Sequence, residues 1–268
     1  MSFVHLHSKS WYSFRRGGSS PDALVQQALE NGQTAIALTD YMSTAGVIPF
    51  QVAARAKGLH SVIGAEVVVD GYPLVMLATS NAGFRQMNLV ISRGLETEER
   101  EKRKEEGRKS FSVKFDTLLE ATDVFVLTGG RSGLLWGLLA SGKPHSALEW
   151  VKRLSGMFGQ RLFIEVSSHL CEGDARMVGR LLSLAKTARV HAVVSNDVAY
   201  AVPEDAVRLD ALTLSRHRLQ VQDDHSERPS NREAWLKPQC LLEPMIRVPS
   251  LYANTVAIAN ECLSTSLK

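Results

Sequence analysis

Thr34-Ala-Ile-Ala-Leu-Thr-Asp40 is an almost unbroken apolar run that ends on a carboxylate. A strand buried on both faces reads this way, and a parallel strand delivers such a terminal side chain at its C-terminal end. The same design recurs along the chain. Ser61-Val-Ile-Gly-Ala-Glu-Val-Val-Val69 carries Glu66, Arg161-Leu-Phe-Ile-Glu-Val-Ser167 precedes His169, and His191-Ala-Val-Val-Ser-Asn-Asp197 ends on Asp197. Phe3 to Ser8 is a shorter β-type run, and strand alternation predicts His5 and His7 on one face of it, half of a metal site.

Helical patterns separate these runs. Ser20-Pro21-Asp22 supplies a cap, a proline for the first turn and an early acid, and Leu24, Val25, Ala28 and Leu29 form a stripe stopped by Asn31-Gly32. Ala45 to Lys57 reads as a helix if Pro49 falls in its first turn. Tyr72 to Thr79 is a strand hairpinned to the one before it through Asp70-Gly71. Asn81 to Ile91 is helical, and Glu96 to Lys109 then packs twelve charges of mixed sign without an apolar stripe: a solvated helix or mobile loop, or a regulatory or nucleic-acid contact. Strand and helix alternate again from Asp123 to Asp197. From Pro203 onward the pattern is helical, with a polar, irregular insert at 220–232.

Serial β-α units fit either a parallel barrel or a doubly wound sheet. His7, Asp40, Glu66, His169 and Asp197 all fall at or just past strand C-termini, which converge on one mouth only in a barrel. The expected fold class is therefore α/β, a barrel over residues 1–202 with 96–109 inserted, followed by a helical C-terminal extension over 203–268. A chain of 268 residues with 44% hydrophobic content can bury such a core, and a net charge of +3 does not by itself argue for nucleic acid. Three scattered cysteines give neither a disulfide framework nor a zinc knuckle. No apolar run has the length of a membrane span and no signal-peptide pattern opens the chain, so a soluble, cytoplasmic protein is expected.

Imidazoles and carboxylates on successive strand ends suit zinc, manganese or iron, which activate water and clamp phosphate. Each residue also has a plainer reading. Asp40 and Asp197 can cap helices, Glu66 can pair with Arg15 or Arg16, and His169 can be a loop histidine. Lys9, Arg15 and Arg16 crowd the same mouth with positive charge, which a divalent cation shares only at high cost, or else form an anion-binding patch for phosphate or a DNA end.

The ordered motifs are Val4-His-Leu-His7 with Tyr12-Ser-Phe14, Ala37-Leu-Thr-Asp40, Gly64-Ala-Glu66, Leu77-Ala78 with Gly83-Phe84, Leu127-Thr-Gly129, Phe163-Ile-Glu165 with His169, and Asn196-Asp-Val198 with Tyr200. Together they resemble the PHP (polymerase and histidinol phosphatase) domain of bacterial family-C DNA polymerases, the DNA polymerase III alpha subunits. Ser13-Phe-Arg-Arg-Gly17 and Thr44-Ala-Gly-Val47 look most like the error-prone branch. The resemblance implies a distorted (β/α)7 TIM-like barrel that binds up to three metals and hydrolyses phosphoesters in active members, in some polymerases as a 3'-5' exonuclease. In other members it is a structural platform for polymerase domains and replication or repair subunits.

Against that pattern the chain departs at several ligand positions. With Tyr12-Ser13 in register, His7 matches the first histidine of the family's H-x-H and Lys9 stands at the second. Arg16 replaces an aspartate, Tyr41 the histidine after Asp40, Gly130 a cysteine or histidine, and Ala199 the last histidine. The matched ligand positions left are His7, Glu66, His169 and Asp197, with His5 and Asp40 as lesser candidates. The expectation is a degenerate domain without polymerase activity, holding no metal or at most one weakly bound zinc or manganese, with Lys9 or Arg16 neutralising Glu66 or Asp197. The alternative is a metal-dependent phosphoesterase or exonuclease with an altered ligand set.

Overall fold

The computed structural model describes residues 3–102 and 111–262. In chain order the elements are α1 (Pro21–Glu30), β1 (Ala35–Tyr41), α2 (Val47–Ala56), β2 (His60–Val69), β3 (Tyr72–Ala78), α3 (Asn81–Lys102), β4 (Val124–Leu127), α4 (Leu134–Ala140), α5 (Pro144–Phe158), β5 (Leu162–Val166), α6 (Asp174–Ala188), β6 (His191–Val194), α7 (Ala206–His217), α8 (Gln239–Leu242) and α9 (Pro249–Glu261). The six strands form one sheet in sequential order, β1 to β6.

Local chemistry sets the first elements. Ser20 Oγ accepts from the Ala23 amide at 3.1 Å and Pro21 opens α1, whose Leu24, Val25 and Ala28 are buried. Pro49 does fall in the first turn of α2, where its missing N–H is no loss. Ile36 and Leu38 point from β1 into the layer formed by Leu24 and Phe50 of the two helices. Asp70 (φ 46°) and Gly71 (φ 89°) both take the left-handed conformation that a tight hairpin needs, and β2 and β3 pair antiparallel from Val69–Tyr72 outward. β3 also pairs antiparallel with β4, whereas β1–β2, β4–β5 and β5–β6 are parallel. The sheet is thus mixed, because the β2–β3 connection is a turn rather than a helix.

The N-terminal segment bridges the two edges of this sheet. His5 pairs in parallel with Ile36 of β1, and Ser8 with Val198 beyond β6. The Ala37 amide donates to the His5 carbonyl and the Thr39 amide to the Ser8 carbonyl, both at 2.8 Å. Three residues therefore oppose two, a one-residue bulge that breaks alternation between His5 and His7. The expectation that these histidines share a face fails for that reason. His5 lodges edge-on against Phe3, which packs on Tyr252, while His7 turns to the strand ends.

The last third of the chain is fastened beneath and beside the sheet. Trp235 bridges to Tyr200, and Ile258 and Ala259 of α9, with Cys262 at its C-cap, share a buried cluster with Val4, Leu6 and Val62. The His60 Nε2, at the start of β2, lies 3.2 and 3.1 Å from the carbonyls of Ala259 and Cys262. The charged stretch is helical as far as Lys102, and its remainder, 103–109, lies outside the described residues. Among the described residues no helix is long and apolar enough to cross a membrane.

Candidate functional site

The bulge and a backbone ladder bring the site together. The Lys9 amide donates to the Val198 carbonyl at 2.8 Å and the Val198 amide to the His7 carbonyl at 3.0 Å, so residues 7, 9 and 197 meet. Asp197 is held in the left-handed conformation (φ 42°) with its amide on Ser195 Oγ at 3.0 Å. Glu66 arrives from β2 and Glu165 from β5.

His7 is fully buried between carboxylates. Its Nδ1 is 2.8 Å from Glu165 Oε1 and its Nε2 is 2.8 Å from Glu66 Oε2. An ionised carboxylate only accepts, so both ring nitrogens donate and the ring is an imidazolium. Burial alone would lower its pKa, but the charges of Glu165 and Asp197 outweigh burial and push it up to about 10. The Lys9 ammonium lies 3.0 Å from Glu66 Oε2 and in short contact with Asp197 Oδ1. Burial opposes the Lys9 charge too, yet Asp197 and Glu66 overcome it and raise its pKa above the usual lysine value. In return Lys9 and His7 hold Asp197 well below the usual carboxylate range and depress Glu66, against the upward push of burial. Two cations face three carboxylates in a closed knot.

The knot fixes a pH dependence. Because the folded pKa of His7 lies near 10 rather than 6.5, its contribution to stability is full below pH 6.5 and lost as pH rises through 10. Glu66 and Asp197 are depressed, so their contributions are present above their ordinary values of 4.5 and 3.8 and lost on acidification below them. The urea midpoint is expected to be highest between about pH 5 and 6.5 and to fall from pH 7 to 10. In His7→Gln the alkaline fall should flatten; a wild-type midpoint constant from pH 6 to 10 would contradict the imidazolium.

The other residues singled out in the sequence are placed differently. Asp40 follows Ile36 and Leu38 onto the helix-facing side of β1, so it is neither a mouth residue nor a helix cap; α2 begins at Gly46 without any side-chain cap. Asp40 instead accepts from the Ser10 amide (2.7 Å), Ser10 Oγ (2.9 Å) and Ser13 Oγ (2.5 Å), and burial raises its pKa. His5 donates Nε2 to the Lys237 carbonyl at 2.9 Å, and burial lowers its pKa to about 4. His169 spends Nε2 on the Asn196 carbonyl at 2.6 Å, and burial lowers its pKa as well. Among the described residues His7, Glu66 and Asp197 form the one group of three whose candidate ligand atoms all lie within 4.8 Å of one another.

Arg15 and Arg16 do not neutralise the carboxylates, contrary to one reading of the sequence. Arg15 donates to the Ser215 carbonyl at 3.2 Å. Arg16 lies 4.3 Å above the Tyr41 ring and pairs with Glu227 at 3.1 Å, a residue of the 220–232 insert that also binds Arg216 at 2.6 Å. The left-handed turn at Phe14 and Arg15 (φ 45° and 64°) carries both arginines outward, and Lys9, on the ladder itself, is the cation that reaches inward. Gly130 takes φ 57° beside Glu165, where a Cβ would stand 3.3 Å from Oε1. Ala199 contributes backbone, with its amide on the Ala234 carbonyl at 2.8 Å. Glu165 was legible only as part of a motif; its place on β5, alternating with Leu162, Ile164 and Val166 and two residues after the inward-facing Phe163, was the available signal for its contact with His7.

Comparison with known proteins bears on this arrangement. The PHP domain model matches residues 5–169. An error-prone DNA polymerase of Symbiobacterium thermophilum is 30% identical over 275 residues, covering 98% of this chain and 25% of that protein. The DNA polymerase III subunit alpha of Treponema pallidum is 31% identical over 281 residues, covering 98% of this chain and 23% of that protein. The chain thus spans about a quarter of the length of the curated relatives it matches. Among solved structures, an amidohydrolase from Chromobacterium violaceum aligns at 17% identity with a TM-score of 0.45, covering 74% of this chain and 88% of that one.

Proposed function

The chain belongs to the PHP domain family, and from that premise we propose that it serves as the PHP domain of a DNA polymerase III alpha subunit or error-prone polymerase, or as a free-standing relative. Its task in this reading is architectural: a platform for other polymerase domains or for replication and repair subunits in the cytoplasm, with no polymerase chemistry of its own. We take the bridging N-terminal run as the seventh strand of a distorted (β/α)7 barrel over 1–202, and 203–268 as a helical extension fastened to it.

The observation that carries this reading is the Lys9 ammonium seated between Glu66 and Asp197 beside a doubly protonated His7. Zinc or manganese needs a bare imidazole nitrogen. Ligand atoms ~2.1 Å from an ion also stand ~3.4 Å apart around it. Here Nε2 and Glu66 Oε2 are 2.8 Å apart, at hydrogen-bond distance, and an ammonium already supplies positive charge to the carboxylates. The residues present do not fit a divalent ion.

Plasma mass spectrometry on freshly purified protein tests this, together with hydrolysis of bis(p-nitrophenyl) phosphate with and without zinc or manganese. Expected are less than about 0.1 equivalents of metal and no turnover. One equivalent of metal with turnover, both lost in His7→Ala and Asp197→Ala, would replace the architectural reading with a phosphoesterase.

A further inference from the structure

Three aromatic side chains on one loop face solvent: Trp11 is 57%, Tyr12 37% and Phe14 52% exposed. Large aromatic faces are ordinarily covered, and the loop that shows them is firmly built. Asp40 grips Ser10 and Ser13, the Tyr41 amide donates to Ser13 Oγ at 3.1 Å, and the Trp11 amide donates to the Ser19 carbonyl at 2.9 Å. A Cβ at Gly17 would overlap the Ser10 carbonyl, so the loop's two ends touch. Phe14 and Arg15 are held at positive φ, a conformation that persists in non-glycine residues only where the surroundings impose it. Phe14 is further fixed by stacking on Phe111 at 5.7 Å.

The same loop carries surplus positive charge. Arg16 and Arg216 share the single carboxylate of Glu227, and Arg216 also donates to the Arg15 carbonyl at 3.0 Å. Arg15 itself is bound to a carbonyl, that of Ser215. Among the described residues, three guanidinium groups stand against the one carboxylate of Glu227. An unpaired base on a phosphate backbone has the complementary chemistry: a flat face that stacks on aromatics and an anion for the arginines. An acidic peptide would satisfy the charge but leave the aromatic faces unused.

We infer that the loop at 11–16, together with Arg216, is a contact surface for single-stranded nucleic acid, with bases on the aromatic faces and phosphates on the arginines. The surface is made of residues outside the buried His7–Lys9 knot, with Tyr41 beneath Arg16 between them, and the inference does not depend on whether that knot holds metal.

Fluorescence anisotropy of a labelled oligo(dT) of roughly twelve nucleotides with the full chain, at about 50 mM salt, tests it. Binding is expected to weaken about tenfold in Trp11→Ala, and Arg15→Ala is expected to weaken it and to flatten its salt dependence. Thermal melts should show both surface variants folded like the wild type. A duplex of the same length should bind more weakly than the single strand. Absence of binding, affinity unchanged in both variants, or duplex bound as tightly as single strand would overturn the inference.

Discussion

Lys9→Met is expected to cost about 3–5 kcal/mol of folding stability, read as a fall of about 10 °C in Tm. Methionine keeps most of the stem's volume, so the loss is chiefly one of charge. Without the ammonium, Glu66 and Asp197 face each other with only the His7 imidazolium between them, and buried carboxylates deprived of a partner are strongly unfavourable. Breaking a buried pair from one side is far more damaging than replacing the whole group. The same variant should gain an affinity that the wild type lacks. With the lysine gone, the ligand atoms of His7, Glu66 and Asp197, within 4.8 Å of each other, are free to take up zinc or manganese, and added metal should restore part of the lost Tm by mass action. Wild-type Tm should not respond. A Lys9→Met protein as stable as the parent would remove the case for the ammonium as the centre of the knot.

Asp40→Ala is the second large effect, at about 3 kcal/mol. It strands the Ser10 amide and the Ser10 and Ser13 hydroxyls in a buried pocket, each of which now donates to that one carboxylate. Alanine also leaves space beside Gly46, whose Cα is packed so closely that a Cβ there would overlap Asp40 Oδ2. Urea unfolding gives the stability loss, and limited proteolysis should locate new cleavage between residues 10 and 17, because the carboxylate is what holds that loop. Asp40→Asn keeps one acceptor oxygen and should lose less. Equal stability in all three proteins would show that the loop is held by other contacts.

The barrel-like architecture was readable because its signals are local and repeated. Apolar runs ending on or carrying a polar residue marked β1, β2 and β5, Asp70-Gly71 marked the hairpin, and Ser20-Pro21 marked the start of α1. The meeting of His7, Glu66 and Asp197 followed from placing strand ends at one mouth. What escaped the sequence was decided by geometry without a residue signature. A one-residue bulge separates His5 from His7, and no glycine or proline announces it. Asp40 lies on the outer face of β1 by simple alternation with Ile36 and Leu38, which the assumption of convergence overrode. The choice of Lys9 over Arg16 as the neutralising cation depended on the left-handed turn at Phe14 and Arg15, residues that rarely take that conformation. The 220–232 insert read as irregular and polar, yet Glu227 within it is what draws Arg16 and Arg216 together.

One bond between the N-terminal run and α9 bears on the order in which the chain folds during synthesis. The Val4 amide donates to Thr255 Oγ1 at 3.1 Å, across 251 residues of sequence. The run at 3–8 can meet Ile36, Ala37 and Thr39 of β1 early, whereas this bond waits for residue 255 and the His5 bond for the Lys237 carbonyl. Contacts this distant in sequence carry a large loop-closure entropy and form slowly. During translation the earlier units can assemble domain-fashion from the N-terminal side, and the charged knot, which draws on residues between 7 and 197, can close once Asp197 has arrived. The anchoring of Val4 and His5 just ahead of it is completed only when residues 237 and 255 are in place.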